Sequence, residues 1–163
     1  MILGVVSDTQ KRVSNVEKII DIFNSNQVDY VIHTGDITRA DTLNRFSRLN
    51  SKLIAVLGNN DLEELGLKET SKIHNFILET PPLVIVLGGK KIAIFHEPDG
   101  INEFIAKNSS INYIFHGHTH RYRSEEKKGI TIFNPGESAG MLKGKNAVGL
   151  IDLKESTIKR IFF

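Results

Sequence analysis

The sequence predicts an α/β fold in which mixed β-sheets are flanked by helices. In the first third of the chain, short apolar runs alternate with stretches whose apolar residues recur at helical spacing. This pattern is typical of βαβ units with parallel strands. Further along, two apolar runs flank a Gly88-Gly89 pair, which indicates an antiparallel hairpin. Parallel units followed by a hairpin require sheets of mixed direction.

The first third contains three predicted strands and two predicted helices. The strands are the apolar runs at 2–6, 30–32 and 53–56. Residues 14–25 and 40–49 have apolar side chains three and four positions apart, so each stretch is predicted to be an amphipathic helix. Ser14 followed by Glu17 has the pattern of a capping box at the start of the first helix.

The rest of the chain is predicted to be rich in strands. These strands are at 83–87, 90–95, 113–115, 130–133, 147–153 and 157–162. A short helix is predicted at 101–107, between the hairpin and the next strand. Residues 61–80 have the least regular pattern and are interpreted as a surface excursion, with one short helix as an option.

Length and composition limit the class of protein. The 163 residues are expected to form a single domain, 1–163. The absence of cysteine excludes disulfides, thiol chemistry and thiolate zinc sites. The chain has no run near the ~18 apolar residues of a membrane span and no signal-peptide pattern, so we expect a cytoplasmic protein with no membrane partner. The net charge of +2 is too small to indicate a stable nucleic-acid complex.

Six polar side chains follow the carboxyl ends of predicted strands. They are Asp8, Asp36, Asn59, His96, His118 and His120. In an open α/β sheet, ligands bind in the crevice outside these ends, so five strands direct these side chains towards one edge. His118 and His120 are one residue apart, which in an extended chain places both side chains on the same face.

This set of donors exceeds what one tetrahedral ion needs. Two carboxylates, an amide oxygen and three imidazoles suit two divalent ions. Imidazole with carboxylate favours manganese, iron, cobalt, nickel or zinc over calcium or magnesium. A pair of such ions stabilises the attacking and leaving oxygens of phosphoryl transfer and lowers the pKa of a bound water. The sequence therefore predicts a dinuclear metal site.

The motifs resemble those of the calcineurin-like metallophosphoesterases, especially their small single-domain phosphodiesterase branch. The family blocks are Asp-x-His, Gly-Asp, Gly-Asn, a later His and Gly-His-x-His. In this sequence they correspond to Asp8-Thr9-Gln10, Gly35-Asp36, Gly58-Asn59, His96 and Gly117-His118-Thr119-His120. The resemblance covers nearly the whole chain. It implies a metallophosphoesterase-type four-layer sandwich and a site lined also by Asn134-Pro135-Gly136.

The resemblance also implies roles for individual residues. Asp36 would bridge the two metals. One site would be completed by Asp8, His120 and Gln10. The other would be completed by Asn59, His96 and His118. Asp36, Asn59 and His118 would take part in catalysis, in which a hydroxide that bridges the metals attacks a phosphodiester. The expected substrate is a phosphorylated small molecule or a nucleotide.

Three positions depart from the family pattern. Gln10 stands where the family usually has histidine, and its carbonyl oxygen is a weaker ligand for borderline metals than imidazole. This favours manganese, with nickel, cobalt, iron, zinc or magnesium as alternatives. Asn60 stands where larger relatives have a histidine thought to protonate the leaving group, and an amide cannot do so. Pro98 removes a second histidine near His96.

Several neighbouring residues are interpreted more conservatively. His33 and His116 are expected to be core or supporting residues. Arg12, Arg39 and Arg121 are candidates for binding a substrate phosphate, with solvated surface charge as an equal alternative.

The sequence leaves a second class of function open. Some relatives of this family keep the fold as protein-binding scaffolds after their ligand positions have decayed, and Gln10 and Pro98 are steps in that direction. A binder of a single metal ion lies between the two classes. Homo-oligomerisation is left open.

Overall fold

The computed structural model describes residues 1–108, 110–141 and 144–163. It contains two mixed sheets and four helices, which confirms the predicted fold class. The helices are α1 Val13–Ser25, α2 Ala40–Arg45, α3 Leu67–Ile73 and α4 Ile101–Lys107. The strands are β1 Ile2–Val6, β2 Tyr30–His33, β3 Lys52–Val56, β4 Ile77–Glu79, β5 Leu83–Leu87, β6 Lys90–Ile94, β7 Tyr113–Phe115, β8 Arg123–Lys127, β9 Ile130–Asn134, β10 Ala147–Asp152 and β11 Thr157–Phe162.

The strands form a six-stranded and a five-stranded sheet. The first has the order β11-β10-β1-β2-β3-β4 and the second has the order β5-β6-β7-β9-β8. In each sheet, central neighbours run parallel: β1 with β2 and β3, and β6 with β7 and β9. The carboxyl ends of the parallel strands in each sheet therefore share an edge, where loops can present side chains.

The two sheets pack face to face. Successive side chains along a strand point to opposite faces of its sheet, so each central strand presents apolar side chains to both sides. Leu3 and Val5 on β1 contact Phe115 and Phe133 of the other sheet in one buried cluster. The opposite face of the first sheet packs on the helices, with Phe23 of α1 fully buried there. A third cluster lies between the second sheet and α4. The order helices, sheet, sheet, helix is the expected four-layer sandwich.

Several local predictions are wrong. In the excursion at 61–80, the optional short helix is confirmed as α3, but β4, which pairs in parallel with β3, was not predicted. The polar strand β8 was not predicted, because an exposed edge strand needs no apolar alternation. The expected capping box at Ser14 is absent. Helix α1 begins one residue earlier without a side-chain cap, and Glu17 pairs with Arg48 and Arg45.

The second predicted helix is shorter than expected. It ends at Arg45 and continues as a 3-10 turn, Phe46–Arg48. Among the described residues, no helix has the length and apolar character needed to cross a membrane. The single domain 1–163 and the cytoplasmic location stay predictions; Ser109, Leu142 and Lys143, which that domain includes, lie outside the described residues.

Candidate metal centre

Strand ends from both sheets converge at one edge of the molecule. Asp8 follows β1, Asp36 follows β2 and His96 follows β6. All three residues are buried, and their ligand atoms lie within 4.8 Å of one another. Two carboxylates and an imidazole at this spacing are donors suited to a transition-metal ion.

The two carboxylate oxygens of Asp8 have different surroundings. Oδ2 accepts hydrogen bonds from the Ser7 hydroxyl and from the backbone N–H of His118, the latter at 3.1 Å. Oδ1 is buried, has no hydrogen-bond partner among the described residues and lies 3.5 Å from His120 Nε2. Burial raises the pKa of Asp8, although the Ser7 hydroxyl opposes this shift. A buried carboxylate oxygen that lacks a partner beside an imidazole fits a metal ligand.

Asn59, His96 and His118 form a second group of donors. His96 Nδ1 lies 2.8 Å from the Thr34 carbonyl oxygen, which can only accept, so this nitrogen donates. In the neutral ring with this tautomer, Nε2 has no proton, and it lies 2.9 Å from Asn59 Oδ1. His118 Nδ1 lies 3.0 Å from the same oxygen. One amide oxygen and two imidazole nitrogens at these distances fit ligands of a shared cation, and the Thr34 contact fixes the His96 tautomer in which Nε2 is free to bind a metal.

Asp36 belongs to the first group of ligand atoms and lies next to the second group through its contact with His96. Its Oδ1 lies 3.5 Å from His96 Nε2 and accepts a hydrogen bond from the backbone N–H of Asn60 at 3.0 Å. Its Oδ2 accepts a hydrogen bond from the Asn60 side chain at 2.6 Å. The amide of Asn60 therefore orients the carboxylate. Since an amide does not titrate near neutral pH, Asn60 supplies no acidic proton.

Asp61 is a buried residue of the site that was not predicted. Its carboxylate accepts hydrogen bonds from the backbone N–H groups of Asp36, Ile37, Thr38 and Gly58, at 2.8, 3.2, 2.6 and 2.8 Å. Burial raises the pKa of Asp61, and the backbone hydrogen bonds oppose that shift. In the sequence, Asp61 only completes a turn-like Asn-Asn-Asp stretch, so no pattern marks it. Its carboxylate fixes two site loops together.

Gln10 approaches Asp36 through its backbone. Its N–H donates to the Asp36 carbonyl oxygen at 2.9 Å, and its φ of 46° lies in the left-handed region. The half-buried side chain lines a surface cleft of about 290 Å³ together with Lys11, Thr38, Arg39 and Asn60. The role of Gln10 as a metal ligand stays a prediction.

Two glycines allow the site loops to approach one another. A Cβ on Gly117 would lie 3.0 Å from Asp8 Oδ2 and would overlap the Ser7 hydroxyl. A Cβ on Gly58 would overlap the backbone nitrogen and Oδ1 of Asp36. These positions therefore need glycine because of close approach.

Asn134 stabilises the loop at 117–120. Its side-chain amide donates to the Gly117 carbonyl oxygen at 3.0 Å and to Thr119 Oγ1 at 3.2 Å. Its Oδ1 accepts a hydrogen bond from the Gly136 N–H at 2.8 Å. The Asn-Pro-Gly loop thus supports the segment that carries two of the candidate histidine ligands.

Two buried histidines beside the site contact protein atoms. His33 Nε2 lies 2.9 Å from the Thr9 hydroxyl, and its Nδ1 accepts the N–H of Gly35 at 3.1 Å. His116 Nε2 lies 3.3 Å from the Arg123 guanidinium. Burial lowers the pKa of His33 to about 3 and that of His116 to about 4. These contacts support the interpretation of both histidines as supporting residues.

Comparison with known proteins shows to which family this chain is related. The model of the calcineurin-like phosphoesterase superfamily domain matches residues 1–156. Phosphodiesterase MJ0936 of Methanocaldococcus jannaschii is 32% identical over 163 residues, covering 99% of this chain and 98% of that protein. The chain belongs to the calcineurin-like phosphoesterase superfamily.

Solved structures agree with this assignment. A structure described as a novel archaeal phosphodiesterase has a TM-score of 0.92 and 32% identity and covers all of both chains. Vps29 of Entamoeba histolytica, in a structure with Zn²⁺, has a TM-score of 0.71 at 18% identity and covers 99% of each chain. At that identity the second likeness concerns the fold alone. The two phosphodiesterase matches at 32% identity support the interpretation of this chain as an enzyme that hydrolyses phosphoesters.

Proposed function

We propose that this protein is a metal-dependent phosphodiesterase that acts on a phosphorylated small molecule or nucleotide. One observation carries the metal dependence: His96 Nε2 and His118 Nδ1 both converge on Asn59 Oδ1, at 2.9 and 3.0 Å. These three atoms, with Asp36 Oδ1 at 3.5 Å from His96 Nε2, are placed to bind a shared cation. The phosphodiesterase relative at 32% identity supports the preference for diesters.

The proposed centre contains two divalent ions, with manganese favoured. Asp36 would contact both ions. One ion would be bound by Asp8, Gln10 and His120, and the other by Asn59, His96 and His118. When bound, the pair would supply an activated hydroxide and positive charge for the phosphoryl oxygens. The unpartnered Oδ1 of Asp8 supports a ligand role for that residue.

Side chains of the protein would supply the rest of the chemistry. Asp36, Asn59 and His118 are the proposed catalytic residues, since they would contact the reacting groups from three different loops. His118 is exposed whereas Asp36 is 2% exposed, so His118 faces the side from which substrate enters. Because the surrounding loops already hold these side chains in position, the side chains need no reorganisation during the reaction. Because Asn60 has no acidic proton, water would protonate the leaving group, which favours good leaving groups.

Hydrolysis of bis-p-nitrophenyl phosphate with Mn²⁺ tests this proposal. The wild-type protein should release p-nitrophenolate only with metal. Asp36→Ala should lower the rate at least about 100-fold, as expected for a group that stabilises the transition state. Asp41→Ala, which removes an exposed carboxylate on α2, is the matched control and should retain the rate. A rate that is independent of metal, or equal in Asp36→Ala, would overturn the proposal.

A further inference from the structure

We propose that the substrate is a phosphodiester with an aromatic group on one side of the scissile phosphate and a second anionic group on the other. This inference rests on the proposed function and adds the substrate class. Two clefts of different chemistry open beside the candidate metal centre and have no lining residue in common.

The first cleft is mainly apolar. Its volume is about 320 Å³, at the lower end of the roughly 300–1,000 Å³ of small-molecule sites. Its walls include five apolar side chains: Leu57, Leu62, Pro81, Pro82 and Phe95. Leu62 is 67% exposed although it is large and apolar. A planar aromatic group in this cleft would cover Leu62 and remove apolar surface from water.

The apolar cleft is continuous with the candidate metal centre. Asn59 and His96 line it, and the same two side chains approach each other at 2.9 Å in the centre. A group bound in this cleft is therefore attached to, or next to, a phosphate bound at the centre. The exposed Glu97 is the acidic residue of this lining, so the cleft disfavours an anionic substituent.

The second cleft is polar and positively charged. Lys11 and Arg39 line it and are exposed, while Gln10, Thr38 and Asn60 add neutral polar groups. Neither cation forms an ion pair within the part of the chain that the structure describes. An arginine and a lysine without a carboxylate partner, beside amide donors, suit a phosphate or carboxylate.

The neighbouring residues Asn59 and Asn60 connect the two clefts. Asn59 lines the apolar cleft, whereas Asn60 lines the basic cleft and donates to Asp36. A scissile phosphate beside this pair therefore has an apolar cleft on one side and a basic cleft on the other. A nucleotide diester that carries a further phosphate has this distribution of groups.

Two chromogenic diesters test the inference: the p-nitrophenyl ester of thymidine 5′-phosphate, with and without a 3′-phosphate. With Mn²⁺, the wild-type protein should hydrolyse the 3′-phosphorylated ester with a KM at least about tenfold lower, because charge-assisted hydrogen bonds to phosphate are strong. The double variant Lys11→Gln/Arg39→Gln should lose this preference, so that the KM values for the two esters become similar. Lys18→Gln/Lys52→Gln removes the same charge elsewhere and should retain the preference.

The apolar cleft is tested on the same esters. Leu62→Asp should raise the KM for both esters at least about fivefold, because the apolar contact that Leu62 would make with the bound aromatic group is lost. Leu65→Asp is the matched control, since Leu65 is 89% exposed and does not line the apolar cleft. Equal KM values for the two esters in the wild type, or an unchanged KM in Leu62→Asp, would overturn this inference while hydrolysis itself upheld the proposed function. If neither ester is hydrolysed while bis-p-nitrophenyl phosphate is, the inference is overturned and the proposed function stands; if none of the three diesters is hydrolysed with Mn²⁺, the proposed function is overturned as well.

Discussion

Asp61 Oδ2 accepts a hydrogen bond from the backbone N–H of Asp36 at 2.8 Å, so one buried carboxylate orients the loop that presents another. The same oxygen accepts the N–H of Gly58 at 2.8 Å. The loops after β2 and β3 are thereby connected through one side chain. Asp61 contacts these loops through backbone N–H groups, and we interpret it as a positioning residue rather than a ligand.

Replacing Asp61 should loosen the site without removing a ligand. In Asp61→Asn, an amide group would face backbone N–H donors, and we expect a loss of about 2–4 kcal/mol in the free energy of unfolding. Affinity for Mn²⁺ should fall about 10–100-fold, as is typical when supporting residues are lost. Denaturant unfolding and calorimetric Mn²⁺ titration measure the two effects. Asp152→Asn, which alters a carboxylate at the end of β10 that accepts two backbone N–H groups, should keep the Mn²⁺ affinity. A wild-type Mn²⁺ affinity in Asp61→Asn would contradict this role.

Asn134 should act on the site through the loop at 117–120. Asn134→Asp keeps the size of the side chain but removes the donor to the Gly117 carbonyl oxygen. We expect kcat for bis-p-nitrophenyl phosphate to fall about tenfold or more, with a parallel loss of Mn²⁺ affinity. Asn112→Asp is the control, since its acceptor to the Lys91 N–H is retained. An Asn134→Asp variant with wild-type kcat and metal affinity would show that this support is dispensable.

Gln10→His should make the centre more selective for borderline metals. Imidazole is a better ligand than an amide oxygen for Zn²⁺ and Ni²⁺, so affinity for these ions should rise at least about tenfold. Histidine tolerates the left-handed backbone at this position, where φ is 46°. Calorimetric titration of Gln10→His, with Gln10→Ala for comparison, measures the effect. Unchanged Zn²⁺ affinity would place residue 10 outside the ligand set.

The buried His33 should make stability depend on pH. Burial lowers its pKa to about 3 from 6.5, so the unfolded chain binds one more proton between these values. The contribution of neutral His33 to the free energy of unfolding is fully present above pH 6.5. It is lost as the pH falls towards 3, by at most about 1.4 kcal/mol per pH unit. In metal-free protein, urea unfolding between about pH 7 and 4 should show a shallower pH dependence for His33→Gln than for wild type. Parallel curves would contradict a neutral His33.

The sequence allowed prediction of the features that have a strong local pattern. The apolar runs of β1, β2 and β3 and the spacing in α1 predicted their elements, because buried strands and amphipathic helices have distinct periodicities. Strand-end placement then predicted which side chains would meet. Asp8, Asp36 and His96 do lie together.

Other features depend on tertiary contacts that no local pattern records. Strand β4 has only three residues and exists because it pairs with β3. The role of Asp61 depends on four N–H groups, three of which lie more than 20 residues away in sequence. The apolar cleft combines residues around positions 57–62, 80–82 and 95–97, and only the packing of the two sheets brings these together.

Titration of metal-free protein with Mn²⁺, followed by bis-p-nitrophenyl phosphate hydrolysis, tests the central proposal most directly. The account predicts no turnover in chelator and a rate that rises to a plateau at about two equivalents of Mn²⁺ per chain, as a dinuclear centre requires. A rate that is already full in chelator, or no turnover at any concentration of Mn²⁺, would contradict it.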